Sequence, residues 1–227
     1  MIAIHGNVPL FQREVQPVRE VPPVRPRIAT TPSIRKQVLD LAVASLVLLF
    51  ILSWLIPILA FLIKLESKGP IFFKQLRTGK NGKPFYCFKF RSMYVNEESD
   101  THQARRNDAR VTKIGAFMRK TSLDELPQFL NVLRMEMSVV GPRPHMIRHT
   151  EDYAKAVDNF MDRHLVKPGI TGLAQVSGHR GEINSTEAIA QRVQLDIHYL
   201  HNWSFQLDVK IIVLTFVQVL KGSENVF

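Results

Sequence analysis

The sequence predicts an α+β fold, mostly helical, that is monotopic at a membrane through an N-terminal re-entrant helix and carries a small β-hairpin. Three observations lead there. Residues 41–63, LAVASLVLLFILSWLIPILAFLI, form an uncharged apolar run long enough to cross a bilayer. Two β-prone runs, IFFKQLR and FYCFKFRSM, bracket a glycine-containing turn. Further on, apolar residues recur at helical spacing, as at Ile189, Val193, Ile197 and Leu200. With 227 residues, 45% of them apolar, the chain can bury one sizeable core. It divides into a tail (1–34), a membrane helix (35–66) and one globular domain (67–227).

The tail is polar and punctuated by Pro9, Pro17, Pro22, Pro23, Pro26 and Pro32, with Arg13, Arg19, Arg25 and Arg27 between them. It lacks the apolar core of a signal peptide, so a disordered segment is expected. Basic charge beside a membrane segment favours anionic headgroups, by about 1 kcal/mol per cation near the surface. Over the whole chain, 30 Lys+Arg against 20 Asp+Glu leave +10, which suits nucleic acid, anionic lipid or a phosphorylated substrate. No nucleic-acid reading module is present, so that partner is set aside. The single Cys87 permits no intramolecular disulfide and fits a reducing compartment.

A spanning helix is the simplest reading of residues 41–63, but two features oppose it. Pro57 removes a backbone hydrogen bond and kinks or breaks a helix. Basic residues flank both ends, Arg35 and Lys36 before and Lys64, Lys68 and Lys74 after. A spanning helix normally carries its Lys/Arg excess on the cytoplasmic side alone. Both ends are therefore expected on the cytoplasmic face, with the segment entering one leaflet, bending near Pro57 and returning. Asp40 at the entrance is costly in lipid unless paired, and a cation of the following domain is its expected partner.

In the hairpin, alternation puts Tyr86, Phe88 and Phe90 on one face, expected to be core, and Cys87, Lys89 and Arg91 on the other. The polar stretch 96–110 is longer than most connections and reads as a flexible loop near the mouth of a site. A short helix over residues 111–120, with Ile114, Phe117 and Met118, leads into the segment richest in chemistry, residues 119–144, RKTSLDELPQFLNVLRMEMSVVGPRP.

Ser122 and Glu125 have capping-box spacing ahead of Leu126, Phe129, Leu130 and Leu133. Pro127, which lacks an N–H, instead favours Asp124 as N-cap. Either way Asp124 and Glu125 sit at a helix N-terminus, whose dipole favours the ionised carboxylates needed to attack phosphorus or hold a divalent metal. Standing alone, the pair would serve equally as a capping device. Ser138–Val140 reads as a short strand that breaks into Gly141-Pro142-Arg143-Pro144. Two prolines restrict Arg143, and a guanidinium held in that way suits bidentate recognition of phosphate. Arg119 adds a second cation.

His145, His149 and His164 invite a zinc reading, but Met146 stands where a zinc hydrolase places its glutamate, so surface or helix-lining histidines are expected. Residues 167–172 read as a rigid turn and 178–182 as a second loop, with basic and N–H groups suited to a nucleotide or a sugar. Helices are expected over residues 186–201 and 208–220, the latter apolar enough to be core or to lie on a membrane interface.

R-x-x-SLDELPQ, NVL and MSVVGPRP, with KFRSM at residues 89–93, KPGITGLAQVSG at 167–178 and D-x-x-Y-x-x-N-W-S at 196–204, resemble the bacterial polyprenyl-phosphate sugar-1-phosphate transferases. The likeness runs over residues 35–227. Where such proteins usually carry a glycine, this chain has Arg134-Met135-Glu136. The resemblance implies an enzyme of the bacterial inner membrane, with its catalytic domain on the cytoplasmic face. It would move a hexose-1-phosphate from a UDP-sugar to undecaprenyl phosphate and release UMP, the first membrane step of surface-glycan synthesis. It implies Asp124 as nucleophile of a covalent phosphosugar intermediate and Glu125 as ligand of Mg²⁺. Arg143, Arg119, Lys89, Arg91 and the turn at Pro142 would bind phosphate.

Arg180-Gly181-Glu182, Arg192-Val193 and Asn202-Trp203-Ser204 look most like members that use UDP-glucose, with galactose or N-acetylated donors as alternatives. Direct displacement by the lipid phosphate stays open, as does a non-catalytic membrane-surface scaffold. Anionic lipids are further expected partners, and homo-oligomerisation is left open.

Overall fold

The computed structural model describes residues 33–96, 108–181 and 185–221. Residues 1–32 of the expected tail, most of the polar loop at 96–110 and Glu182 of the second loop lie outside the described residues, and Ile34, expected to end the tail, is helical. The apolar segment folds as α1 (Ile34–Val47) and α2 (Ser53–Glu66), joined through a π-helical stretch at Leu48–Leu52. Among the described residues it is the one helix long and apolar enough to cross a membrane. The irregularity falls about one turn before Pro57, which lies inside α2 and has no N–H to give. Side chains take carbonyls of the widened turn: the Ser53 hydroxyl donates to Leu49 O at 2.6 Å and Trp54 Nε1–H to Phe50 O at 2.7 Å.

Both ends of this helical pair are bonded to the same globular body. At the start, Lys36 Nζ donates to Val140 O (2.9 Å) and pairs with the fully buried Asp208 (2.8 Å). Asp40 Oδ1 accepts the Val139 N–H at 2.9 Å and lies 3.0 Å from the Ser138 hydroxyl. Neutral donors therefore hold the Asp40 carboxylate directly, while Lys36 of the same helix and Lys167 of the domain stand near enough to interact with its charge. At the far end, Glu66 accepts the N–H groups of Lys113 and Ile114 (2.6 and 2.9 Å), the orphan donors that open α3 (Lys113–Thr121).

The hairpin forms as expected from β1 (Phe72–Thr78) and β2 (Pro84–Phe90), with Phe72 opposite Phe90 and Thr78 opposite Pro84. Its aromatic face is only partly core: Phe88 and Phe90 are buried, whereas Tyr86 is exposed. Phe90 packs with Leu52, Leu55, Leu59, Ile63 and Met118. On a second centre, Phe85 and Cys87 meet Ala44, Val132, Val139, Tyr199 and Ile211. The apolar helices thus contribute to both cores while their outer residues Leu49, Phe50, Trp54, Ile58 and Phe61 stay exposed.

A second sheet, which the sequence reading did not contain, pairs β3 (Ser138–Val140) in parallel with β4 (Gly169–Thr171). Residues 167–172 had been expected to be a rigid turn. The backbones approach so closely that a Cβ on Gly169 would lie 2.1 Å from Gly141 N, so only glycine fits. Helix α5 (Ile147–Ala156) packs on β1, and α6 (Leu173–Val176) follows β4 and packs on the last two helices. Helix α7 (Thr186–His201) has Ser185 as N-cap and buries Ile189, Val193 and Leu200, as its periodicity predicts. Helix α8 (Phe205–Lys221) buries Asp208 and Ile211 but exposes Val209, Val213, Phe216 and Leu220.

Candidate active site

Asp124 and Glu125 lie in a single 3-10 turn, Leu123–Glu125, between α3 and α4 (Gln128–Leu133). The expected capping box is absent. Ser122 closes α3 in the left-handed conformation (φ 60), which takes its hydroxyl away from the following N–H groups. That hydroxyl instead accepts from Arg180 at 2.8 Å. Asp124 is not the N-cap of α4 either; Pro127 occupies that position. The carboxylates still open a helical turn, but they are 6% and 9% exposed, far more enclosed than surface caps.

The two carboxylates are held differently. Glu125 is locked: Oε1 accepts from Lys89 Nζ (2.7 Å) and Arg143 Nη2 (2.5 Å), and Oε2 accepts from Arg143 Nη1 (3.0 Å). Burial alone would raise its pKa, yet these two cations hold it well below the usual glutamate range. Asp124, by contrast, accepts no hydrogen bond from any described residue. Burial pushes its pKa up and the Glu125 charge adds to this, with Lys89, Arg119 and Arg143 opposing. Glu125 is a clamped anion, whereas its neighbour has no hydrogen-bond donor among the described residues.

Arg143 owes its position to its backbone. The prolines on either side have no N–H, and four successive carbonyls are taken by donors from β4, from residues 160–165 and, twice, from β1. Pro142 O accepts from Gly169 N–H (2.9 Å), Arg143 O from Arg163 (2.9 Å), Pro144 O from Arg77 (2.7 Å) and His145 O from Thr78 N–H (3.0 Å). Arg163, 2% exposed, is itself fixed by Asp196 of α7 and by the His145 Nδ1 acceptor at 2.7 Å. Lys89 is placed through Asn131 of α4. Asn131 accepts the Phe88 N–H (3.0 Å) and donates to Tyr86 O (2.7 Å), like a third strand on the free edge of β2.

Of the residues expected at the site, Asp124, Glu125, Arg143 and Lys89 converge. Arg119 stands close enough to lower the Asp124 pKa and donates from Nε to Ser92 (2.9 Å). Arg91 does not join them. It is buried, and its guanidinium donates to the carbonyls of Ser67 and Lys68 at 2.8 and 2.6 Å, tying β2 to the end of α2. Pro142 fixes the turn and offers phosphate no donor. The loop bearing Arg180 does reach the site, whereas Arg77 and Arg163 were missed, since nothing local in sequence links them to the Pro-Arg-Pro turn.

His145 and His164 are buried among Tyr153 and Phe160, not on the surface. Burial holds His145 well below its ordinary pKa and His164 at about 4, so both stay neutral. No group of three or more metal-ligating side chains occurs among the described residues. The turn that lacks a glycine keeps a glycine-like shape: Met135 adopts φ 62 after α4, at a cost of about 1–2 kcal/mol.

The chain is similar to several known proteins. It is 51% identical over 191 residues to a UDP-glucose:undecaprenyl-phosphate glucose-1-phosphate transferase of Klebsiella pneumoniae, covering 84% of this chain and 40% of that protein. A protein of the same name from Escherichia coli is 49% identical over the same shares. Another, from Caulobacter vibrioides, is 44% identical over 89% of this chain and 74% of its own length. The chain therefore spans about two fifths of the first two relatives. The family model described as bacterial sugar transferase matches residues 31–222, and the chain belongs to that family.

Proposed function

We propose that this protein transfers a hexose-1-phosphate, with UDP-glucose as the donor, to undecaprenyl phosphate through an acyl phosphate on Asp124. The observation that carries the reading is the contrast within one turn: an unbonded, buried Asp124 beside a Glu125 that holds Lys89 and Arg143 in place. The names of the relatives support the donor and acceptor.

In the first half-reaction an Asp124 oxygen attacks the sugar-bearing phosphorus. The bridging P–O bond breaks, and its electron pair leaves on the phosphate of UMP. In the second, an oxygen of the lipid phosphate attacks the same phosphorus and the Asp124 O–P bond breaks, restoring the carboxylate. Arg143, Lys89 and Arg119 face the non-bridging oxygens, where charge must be balanced in a loose phosphoryl transition state. Three of the roughly four lone-pair sites of Glu125 are filled, and the one left on Oε2, with the Asp124 carboxylate, would hold a hard cation such as Mg²⁺. When bound there the ion would neutralise diphosphate charge.

Mixed with UDP-glucose and Mg²⁺ but no lipid acceptor, the protein should release one UMP per molecule. It should also gain the mass of one hexose phosphate on the peptide containing residues 122–128. UMP that forms only when lipid phosphate is present, with no adduct at any time, would establish direct displacement instead.

A pH dependence follows from the site. The acidic limb of kcat/KM should report ionisation of Asp124, above the ordinary aspartate value of 3.8. Glu125→Gln removes a negative charge that raises this pKa and frees Arg143 and Lys89, which lower it. The limb should then move to lower pH as the rate falls; a limb that stays in place or rises would remove Asp124 as the titrating group.

The membrane reading rests on the helix ends. Lys36 and Asp40 at one end and Glu66 at the other bond to one body, which suits a segment that enters and leaves the same leaflet. The exposed stripe Val209, Val213, Phe216 and Leu220 of α8 would lie on the same interface. Tags placed before residue 1 and after residue 227 should both be accessible from the cytoplasmic side alone. An N-terminal tag reached only from the periplasm would mean a spanning helix.

A further inference from the structure

The site holds more positive charge than its two carboxylates need, and Arg180, like Arg119, has no acidic partner among the described residues. Arg180 lies in the loop after α6, just past Gly178, whose φ of 93 turns the chain back toward the carboxylates. Two bonds fix the loop. Arg192 of α7, itself buried, donates to Gly181 O at 2.9 Å on one side, and Arg180 donates through Nη2 to the Ser122 hydroxyl at 2.8 Å on the other. Ser122 immediately precedes the 3-10 turn, so the guanidinium is delivered to the edge of the carboxylate pair.

A guanidinium has five N–H donors. Arg180 uses one of them on described residues, and that one on a neutral hydroxyl. Glu125 is engaged by Lys89 and Arg143 and makes no bond to Arg180. Asp124 and Glu125 are nonetheless near enough to favour its charged form, against burial and Arg143. The fork is thus half-desolvated, placed at the nucleophile and unspent, the state expected of a group that awaits an anion.

We propose that Arg180 binds a phosphomonoester dianion opposite Asp124: the phosphate of UMP as it leaves and the phosphate of the lipid as it enters. This rests on the two-step transfer proposed above. In each half-reaction the group facing Asp124 across the transferred phosphorus must lie in line with the same Asp124 O–P bond. Two phosphomonoesters therefore occupy one position in turn, and one cation can serve both. In the first step the pair of electrons from the breaking bridge settles on the UMP phosphate beside Arg180. In the second, Arg180 holds the lipid phosphate whose oxygen supplies the new bond.

The test separates the half-reactions and adds a binding measurement that needs no turnover. With wild-type protein and with Arg180→Lys and Arg180→Gln, three quantities are measured: the rate of the UMP burst without lipid, the rate at which isolated adduct is discharged by undecaprenyl phosphate, and the affinity for UMP by equilibrium dialysis. Arg180→Gln should slow both steps by ten- to a hundredfold and weaken UMP binding about tenfold, with Arg180→Lys between it and wild type. Slowing of the burst with weaker UMP binding alone would assign Arg180 to the nucleotide phosphate, and slowing of discharge alone to the lipid phosphate. Unchanged UMP affinity with both rates within twofold of wild type would overturn the proposal. A wild-type protein that forms no adduct yet loses UMP affinity on Arg180→Gln would sink the covalent mechanism and keep the phosphate site.

Discussion

Asp124→Asn should yield a protein that folds, binds UDP-glucose and makes neither the UMP burst nor the hexose-phosphate adduct. The amide keeps the shape of the side chain but lacks the negative oxygen that attacks phosphorus. Overall transfer should fall by at least about a thousandfold, equivalent to roughly 4 kcal/mol of barrier. Because Asp124 accepts no hydrogen bond from described residues, the substitution breaks none. Its pKa is raised in the folded state, so the ionised carboxylate costs stability once the pH exceeds that raised value. A neutral amide removes the cost, and the melting temperature at neutral pH should hold or rise. Activity lost together with a lower melting temperature would point to a structural role instead.

The second large effect is expected at Arg143. Arg143→Lys keeps the charge but replaces a planar fork by a point charge, and turnover should fall by ten- to a hundredfold, about 1.4–2.8 kcal/mol. Quenched-flow measurement of the UMP burst reads this directly, and a near-wild-type rate would move Arg143 out of the site. The loss should resist increases in substrate, because the fork is aimed by fixed carbonyls and a lysine lacks the geometry to hold two oxygens at once. Glu125 would keep Lys89, so the turn itself should persist.

Much of this architecture could be read from the chain. The hairpin, the helix over 186–201, the strand at Ser138–Val140 and the placing of Asp124, Glu125 and Arg143 follow from local patterns, period two, period 3.6, proline spacing and adjacent charge, whereas Lys89 was marked only by the resemblance of its KFRSM motif. What could not be read depends on partners distant in sequence. A lysine-arginine strand face looks uniform in alternation, yet Lys89 meets Glu125 and Arg91 meets the carbonyls after α2. Capping-box spacing at Ser122 and Glu125 is overridden because Ser122 is already committed to ending α3. Asp40 carries no sign in sequence that its solvent is the edge of a strand a hundred residues away. The glycines at 141 and 169 read as turns singly, and only their mutual contact makes a parallel sheet.

The pairing of Lys36 with Asp208 joins the beginning and the end of the described chain. These residues are separated by 172 positions, and Asp208 sits in the last helix described. At roughly 5–20 residues per second, the ribosome delivers Asp208 about 10–30 s after Lys36. For that interval the base of the apolar helix has only Asp40, one turn along, as a nearby acid, and Val140 O, three residues before Arg143, has neither Lys36 nor Tyr199 fully in place. On the membrane reading proposed above, the nascent chain would reach its leaflet well before the bonds of Asp208 to Lys36 and Tyr199 can close, so a product interrupted before α8 would keep its apolar helix but lack the buried polar knot that ties that helix to the body.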